Sequence, residues 1–325
     1  MIPSEVIKKV IKTMKRLFLL FVVSSVGAAF AAEPLKAALY VDEGCRGSGV
    51  VRWAEMLRDS PDVELKLVSG ADIRGGALAG RELLVMPGGH GGPQYTALGD
   101  EGAAKLKAFV ADGGKYFGTC CGLAIALNEE PGFAKRLKML PLRRKEGPVR
   151  GGFTATVKFN RRGLEWLGLR QAEWGIRYHN GPVVEPSDPV PECTELETLA
   201  TMNCELAQKG PVVGAMYGTP AAVRATYGKG EMLAFNCHPE MFPYTRQLVI
   251  AGIRALTGHT IRLVPQPLKP RGAERVGYFT TRSFDKTSLE EYFRLRADPA
   301  IDVVPVTQGE LDEGAAQRFD RIVKP

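Results

Sequence analysis

"KYFGTCCGLAIAL", residues 115–127, sets a short apolar run against two adjacent cysteines inside a Gly-x-Cys-x-Gly frame. Apolar residues with helical character follow at once, so the stretch reads as a strand turning sharply into a helix. Such a turn is strained and the chain passes close to itself, so it needs small neighbours. Gly118 and Gly122 supply them around Cys120. The same turn puts Cys120 at a helix N-terminus, whose dipole favours a thiolate. Cys121 is then badly placed to attack, but its backbone N–H is well placed to face an oxyanion. An inert packing turn would use the same glycines, so the motif by itself leaves both readings open.

On the N-terminal side, "LKAALYVDEG" (35–44) reads as a strand and "GVVRWAEMLRDS" (49–60) as an amphipathic helix. Val63–Val68 and Arg81–Met86 are further strands, the second stopped by "PGGHGG" (87–92), and 101–114 is a helix with a glycine stop. Strands alternating with helices predict a parallel α/β sheet wound on both faces. Its ligand site lies beyond the carboxyl ends of the strands, where loops 42–49, 87–93 and 118–122 should meet. Further on, "GFTATVKFN" (152–160), "GPVVGAMYG" (210–218) and 221–240, turning at Gly228-Lys229-Gly230, read as antiparallel strands. The basic run 142–152 reads as a solvated loop.

The chain has 325 residues, 45% hydrophobic and 24% charged, which suits one large domain or two modest ones. Of its formal charge of +7, a net +4 lies in residues 1–31, so the charge does not argue for nucleic acid or for binding to a membrane surface. From Met14 the sequence has a basic start, an apolar core and small residues at Ala29 and Ala31, the layout of a signal peptide cleaved after Ala31. The expectation is a periplasmic or secreted protein that meets the membrane only during export. Six cysteines in an oxidising compartment invite disulfides, and a bridge between Cys193 and Cys204, across a segment able to fold back on itself, is the best pairing. Without a Cys-x-x-Cys pair or zinc-type histidine spacing, no metal is expected, and no cofactor is implied.

"FNCHPE" (235–240) weights the reading of the elbow toward chemistry. His238 and Glu240 are two apart at the end of an expected strand, so both side chains point to one face. A carboxylate beside an imidazole fixes its tautomer and supports the imidazolium formed when a thiol gives up its proton. "PGGHGG" adds backbone N–H groups for an oxyanion hole.

The segments "LLVMPGG", "GTCCG" and "NCHPE", in that order, resemble class I glutamine amidotransferase-like domains. The longer series "VMPGGHGGPQYTAL", "FVADGGKYFGTCCG", "YHNGPVV" and "YGKGEMLAFNCHPE" resembles the biotin-protein ligase N-terminal domain family, including its exported bacterial members, over about residues 36–260. The resemblance implies a flavodoxin-like, doubly wound, mostly parallel sheet with an antiparallel extension. It implies Cys120 as nucleophile, His238 as base and Glu240 as its orienter, with oxyanion-hole amides at Gly88, Gly89 and Cys121. Glu43, His90, His179 and Asn180 are candidates to line the pocket, and His259 is expected at the surface.

Three functions fit these residues: a thiol hydrolase or amidotransferase-like enzyme acting on a small-molecule or peptide-like amide; a binding module that keeps the pocket without turnover; and a cysteine-based stress or glyoxalase-like enzyme in which Asp42 or Glu43 tunes Cys120. The His-Pro-Glu motif favours the first over the third. Oligomeric state is not legible.

The domain is expected to span 35–262, with a Pro-rich linker at 263–275. Residues 276–325 then align without a gap on 38–87 at a constant offset of 238, pairing Tyr40 with Tyr278, Arg58 with Arg296 and Pro61 with Pro299. The tail is expected to be a partial second copy, with strands at 276–280, 301–306 and 320–324 and a helix near 287–297.

Overall fold

Alternating apolar strands and amphipathic helices force the first half of the chain into parallel crossovers. The computed structural model describes residues 33–129, 135–145, 151–205, 215–280 and 284–325; the expected signal peptide at 1–31 lies outside them. In chain order come β1 (Leu35–Tyr40), α1 (Ser48–Asp59), β2 (Val63–Val68), α2 (Gly70–Arg74), β3 (Leu83–Met86), α3 (Gly91–Ala111), β4 (Lys115–Thr119) and α4 (Cys121–Ala126). There follow β5 (Leu142–Arg144), β6 (Gly152–Phe159), α5 (Arg161–Leu167), β7 (Glu173–His179), β8 (Val184–Pro186), β9 (Cys193–Met202), β10 (Pro220–Tyr227), β11 (Gly230–Phe235) and α6 (Arg246–Thr257).

Nine strands form one sheet in the order β2-β1-β3-β4-β11-β10-β9-β6-β7. Neighbours from β2 to β11 run parallel, and those from β11 to β7 antiparallel. Every residue of β3 is buried and β1 nearly so, as expected for strands covered on both faces. Trp53 of α1 fixes helix to sheet: its ring meets Phe117 edge-on at 4.9 Å and its indole N–H donates to Thr119 Oγ1 at 3.2 Å. Both partners belong to β4, the strand that leads into Cys120.

Several local expectations are corrected. α3 starts at Gly91 rather than near 101, because Pro93 falls in its first turn, where a missing N–H costs nothing; the helix kinks at Gly99, whose φ is +67°. Residues 215–218 form turns instead of a strand, and 210–214 lie outside the described residues. The segment from Cys193 to Met202 does not fold back but runs as the single strand β9, paired with β10 and β6. Cys193 and Cys204 therefore stand roughly 30 Å apart, far beyond the reach of a disulfide. All six cysteines are free thiols. His259, expected at the surface, is half-buried, its Nε2 3.2 Å from Glu82 Oε2.

The tail comprises β12 (Glu274–Phe279), α7 (Lys286–Ala297), β13 (Ile301–Val306), α8 (Gln308–Asp312) and β14 (Arg321–Val323). Its strands form a parallel sheet in the order β13-β12-β14, the arrangement of β2-β1-β3. α7, β13 and α8 fall where an offset of 238 from α1, β2 and α2 places them. Ser69 and Asp72 form a capping box before α2, and Thr307 and Glu310 form one before α8 at the same offset. The first strand departs from it: Phe279 pairs with Val306 where Tyr40 pairs with Val68, so the tail is one residue shorter between strand and helix and a gapless alignment fails there. We infer from these correspondences that the tail is a partial second copy of 35–86; an experimental structure in which the two segments do not superpose would overturn this.

The tail packs on α1 through buried polar contacts. Tyr292 Oη donates to Glu55 Oε1 at 2.6 Å, and Arg296 holds Asp59 through two hydrogen bonds of 2.9 and 2.5 Å. Tyr292→Phe leaves a buried carboxylate oxygen short of a donor and is expected to cost about 1–3 kcal/mol, measured as a lower urea midpoint.

Candidate active site

Cys120 lies between β4 and α4 with φ +53° and ψ −102°, a left-handed conformation that costs a non-glycine residue about 1–3 kcal/mol. The surroundings hold it there. Its N–H donates to the Phe235 carbonyl at 2.8 Å, and the N–H groups of Leu123 and Ala124 donate to its carbonyl at 3.1 Å. The thiol, in a residue only 6% exposed, donates to the His179 carbonyl at 3.6 Å.

β11 ends at Phe235, so His238 and Glu240 sit in the turn that follows and not on a strand. The turn brings their side chains together instead of strand alternation: His238 Nδ1 lies 2.7 Å from Glu240 Oε1. With the carboxylate as acceptor, Nδ1 carries the proton and Nε2 is left for another partner. The main chain of His238 is fixed by donation to the Arg177 carbonyl of β7 at 2.7 Å. Burial acts against a charged ring, but the charge on the Cys120 sulfur, then that of Glu240, and hydrogen bonding with both outweigh it and push His238 up to about 10. The imidazolium form thus persists at neutral pH beside the sulfur.

Two glycines make room for this pair. A Cβ on Gly49 would lie 2.5 Å from Glu240 Oε1, and one on Gly88 would lie 2.6 Å from His238 Cε1. Loop 44–49 and the Gly88-Gly89 loop are tied together by His90 N–H to the Gly44 carbonyl (2.7 Å) and Arg46 N–H to the Gly88 carbonyl (3.4 Å). The three loops expected to meet beyond the strand ends do meet. The tail braces them from outside: Gly47 N–H donates to the Thr280 carbonyl at 2.6 Å, and Phe284 N–H to the Cys45 carbonyl at 2.7 Å.

The amides of Gly88 and Gly89 donate no hydrogen bond among the described residues, and the Cys121 amide, first in α4, has no intrahelical partner. The Cys121 thiol is buried and donates to Gln94 Oε1 at 3.1 Å; burial, then the charge on Cys120, push it far above the usual thiol range. Cys121 is therefore inert as a nucleophile, while its amide stays available.

His179 has its carbonyl at Cys120, and burial, followed by the charges of His238 and Arg177, pushes its own ring below the usual value. Asn180, at φ +52°, is exposed and accepts from Gly151 N–H at 2.8 Å. His90 caps the start of α3 and, with Glu43, lines a separate shallow cavity of about 650 Å³. Asp42 is committed elsewhere, accepting from Gly70 and Glu43 N–H groups at 2.8 Å, and neither Asp42 nor Glu43 contacts the Cys120 thiol. Among the described residues no group of three or more His, Cys, Asp or Glu side chains is arranged to hold a metal ion, and no helix is long and apolar enough to cross a membrane.

Sequence reasoning missed Gln94, Gly49 and the carbonyls of Arg177 and His179. Gly49 had a signal, the clustered glycines after the first strand; the others act through a backbone group or a single amide and leave none.

A cysteine at a strand–helix elbow, over a parallel sheet with an antiparallel extension, is the arrangement expected of the class I glutamine amidotransferase-like fold. The fold is similar to that of a ThuA-like protein from Bacteroides uniformis, 16% identical, with a TM-score of 0.50 over 73% of this chain and 97% of that one. A ThuA-like protein from Parabacteroides merdae is 14% identical, with a TM-score of 0.47 over 79% of this chain and 99% of that one. A cold-adapted β-galactosidase from Rahnella sp. R3 is 16% identical, with a TM-score of 0.45 over 74% of this chain; the match spans 33% of that enzyme's length. Residues 68–128 match the family model described as biotin-protein ligase, N terminal, in agreement with the resemblance read from the motifs. That match takes in the glycine loop and the elbow but stops short of His238 and Glu240. No curated protein matches the sequence.

Proposed function

We propose that the protein is a cysteine-dependent hydrolase of the amidotransferase-like class that cleaves an amide or carboxamide bond of a small-molecule or peptide-like substrate. The observation supporting this reading is the strained Cys120 elbow together with a His238 imidazole held 2.7 Å from the buried Glu240 carboxylate and raised in part by the Cys120 sulfur. The Cys120 thiolate attacks the carbonyl carbon, forming a C–S bond, and the carbonyl electron pair moves to oxygen, toward the amides of Gly88, Gly89 and Cys121. Collapse breaks the C–N bond, and the amine leaves with the proton of His238. Neutral His238 then takes a proton from water as the water attacks the thioester, and loss of the thiolate releases a carboxylic acid and restores the ion pair. Iodoacetamide labelling at neutral pH tests the nucleophile. Selective modification of Cys120 over the other five cysteines at neutral pH supports the proposal; no preference for it counts against it.

The layout of residues 1–31 supports export with cleavage after Ala31. Mass spectrometry of protein from the native host is expected to find Ala32 as its first residue; an intact N-terminus on cytosolic protein would refute export.

A further inference from the structure

We propose that the cleft between α1, the start of α6 and the tail binds a small oxyanion, a phosphate- or carboxylate-bearing molecule, with Arg246 as its anchor. The cleft has a volume of about 1010 Å³, and the Pro-rich segment from Leu263 to Pro270 forms one of its walls. That volume suits a metabolite-sized ligand.

Its charges do not cancel. Glu55 has Arg52 at 2.8 Å, Asp59 has Arg296 at 2.5 Å and Asp302 has Arg275 at 3.6 Å. Each carboxylate lining the cleft is thus matched by an arginine. Among the described residues Arg246, in the same lining, forms no ion pair; the nearest acidic influence on it is Glu55, which Arg52 already holds. The Arg246 Nε donates to the Glu240 carbonyl at 3.3 Å, and its terminal guanidinium nitrogens make no hydrogen bond among the described residues. Lys269, also in the lining, donates to the carbonyls of Arg296 and Asp298 and adds positive charge rather than neutralising it.

Burial, then the like charge of Arg52, hold the Arg246 guanidinium below the usual arginine range. A partly desolvated cation among cations is costly, and an anion relieves that cost. Arg246 is the first residue of a twelve-residue helix, whose dipole adds to the positive field there, although its own N–H is already donated to the Phe242 carbonyl at 3.2 Å. The planar fork of arginine matches the paired oxygens of a carboxylate or phosphate. Through Nε the anchor also holds the main chain of Glu240, the residue that orients His238, so occupancy of the cleft bears on the neighbouring site by one hydrogen bond.

Thermal unfolding of the full chain with increasing inorganic phosphate, and separately citrate, against sodium chloride of equal ionic strength tests the proposal without requiring turnover. A saturable rise in midpoint is expected with at least one anion. Response to phosphate alone identifies a phosphate-bearing ligand, and response to citrate alone a carboxylate-bearing one. Arg246→Gln is expected to weaken the apparent affinity about tenfold or more, the size of one charge-assisted hydrogen bond, whereas the exposed Arg161→Gln responds as wild type. If Arg246→Gln does not fold, Lys269→Gln, which removes the other unneutralised charge of the cleft, is read in its place, with weaker anion binding expected. An Arg246→Gln protein that responds as wild type, or a wild type with no saturable response to either anion, overturns the site.

Discussion

Cys120→Ala is expected to abolish amide cleavage, by at least about a thousandfold, and to remove iodoacetamide labelling at neutral pH, while Cys121→Ala keeps the labelling. Only one of the two adjacent sulfurs is placed to react. Cys120 sits at φ +53° with its thiol at the His179 carbonyl, and its charge is a main cause of the upward shift of His238. The Cys121 sulfur is buried on the other side of the elbow, donates to Gln94 and is pushed above the usual thiol range by burial. Cys121→Ala should cost stability, roughly 1–3 kcal/mol for a truncated buried side chain, and leave its backbone amide in place. Turnover retained in Cys120→Ala, or labelling lost in Cys121→Ala instead, would reverse the assignment.

Glu240→Gln is expected to lower amide cleavage by about 10²–10⁴-fold and to bring the His238 titration down from about 10. The carboxylate accepts from Nδ1 through Oε1 and carries one of the charges that raise the ring. Its Oε2 is buried with no hydrogen-bond partner among the described residues. A glutamine amide nitrogen therefore either meets the donor at Nδ1 or enters a place where nothing accepts from it. The sign of the pH effect follows from the raised value. Below the ordinary imidazole value of 6.5 the ring is protonated both folded and unfolded, and its contribution to stability is fully present. That contribution declines as pH rises above 6.5 and is gone once pH passes about 10, where the folded imidazolium is lost. Cleavage should fall over the same alkaline limb, because the leaving amine then has no acid to take a proton from. NMR titration of the His238 ring reads the shift directly, as the apparent value of the coupled Cys120–His238–Glu240 group; an unchanged titration in Glu240→Gln would contradict the role given to the carboxylate.

The alternation of 35–127 and the Gly-x-Cys-x-Gly frame were enough to read a parallel α/β sheet with a strand–helix elbow at Cys120, because strand period, helix period and glycine punctuation are local properties. The partnership of His238 and Glu240 was legible from their spacing, although the physical reason differs: a turn after Phe235, and not strand alternation, joins them. The tail's likeness to the start of the domain was legible as a constant offset of 238 pairing Arg58 with Arg296 and Pro61 with Pro299, while its one-residue departure needed the pairing of Phe279 with Val306. Other features had no local signature. The segment from Cys193 to Met202 is a strand rather than a fold-back because β10 and β6 take up its hydrogen bonds, and those partners are distant in sequence. Gly49 and Gly88 matter because their missing side chains leave space for Glu240 and His238, about 190 and 150 residues further along the chain. The surplus charge of Arg246 likewise exists only once the tail and α1 have spent every other arginine in the cleft on a carboxylate. Sequence by itself determined the alternation of strands and helices in 35–127, the elbow and the candidate residues of the site, since each depends on neighbours within a few residues. Tertiary structure decided which thiol faces the histidine, which cysteines stay apart and where charge is left unpaired, since these depend on distances that chain topology alone sets.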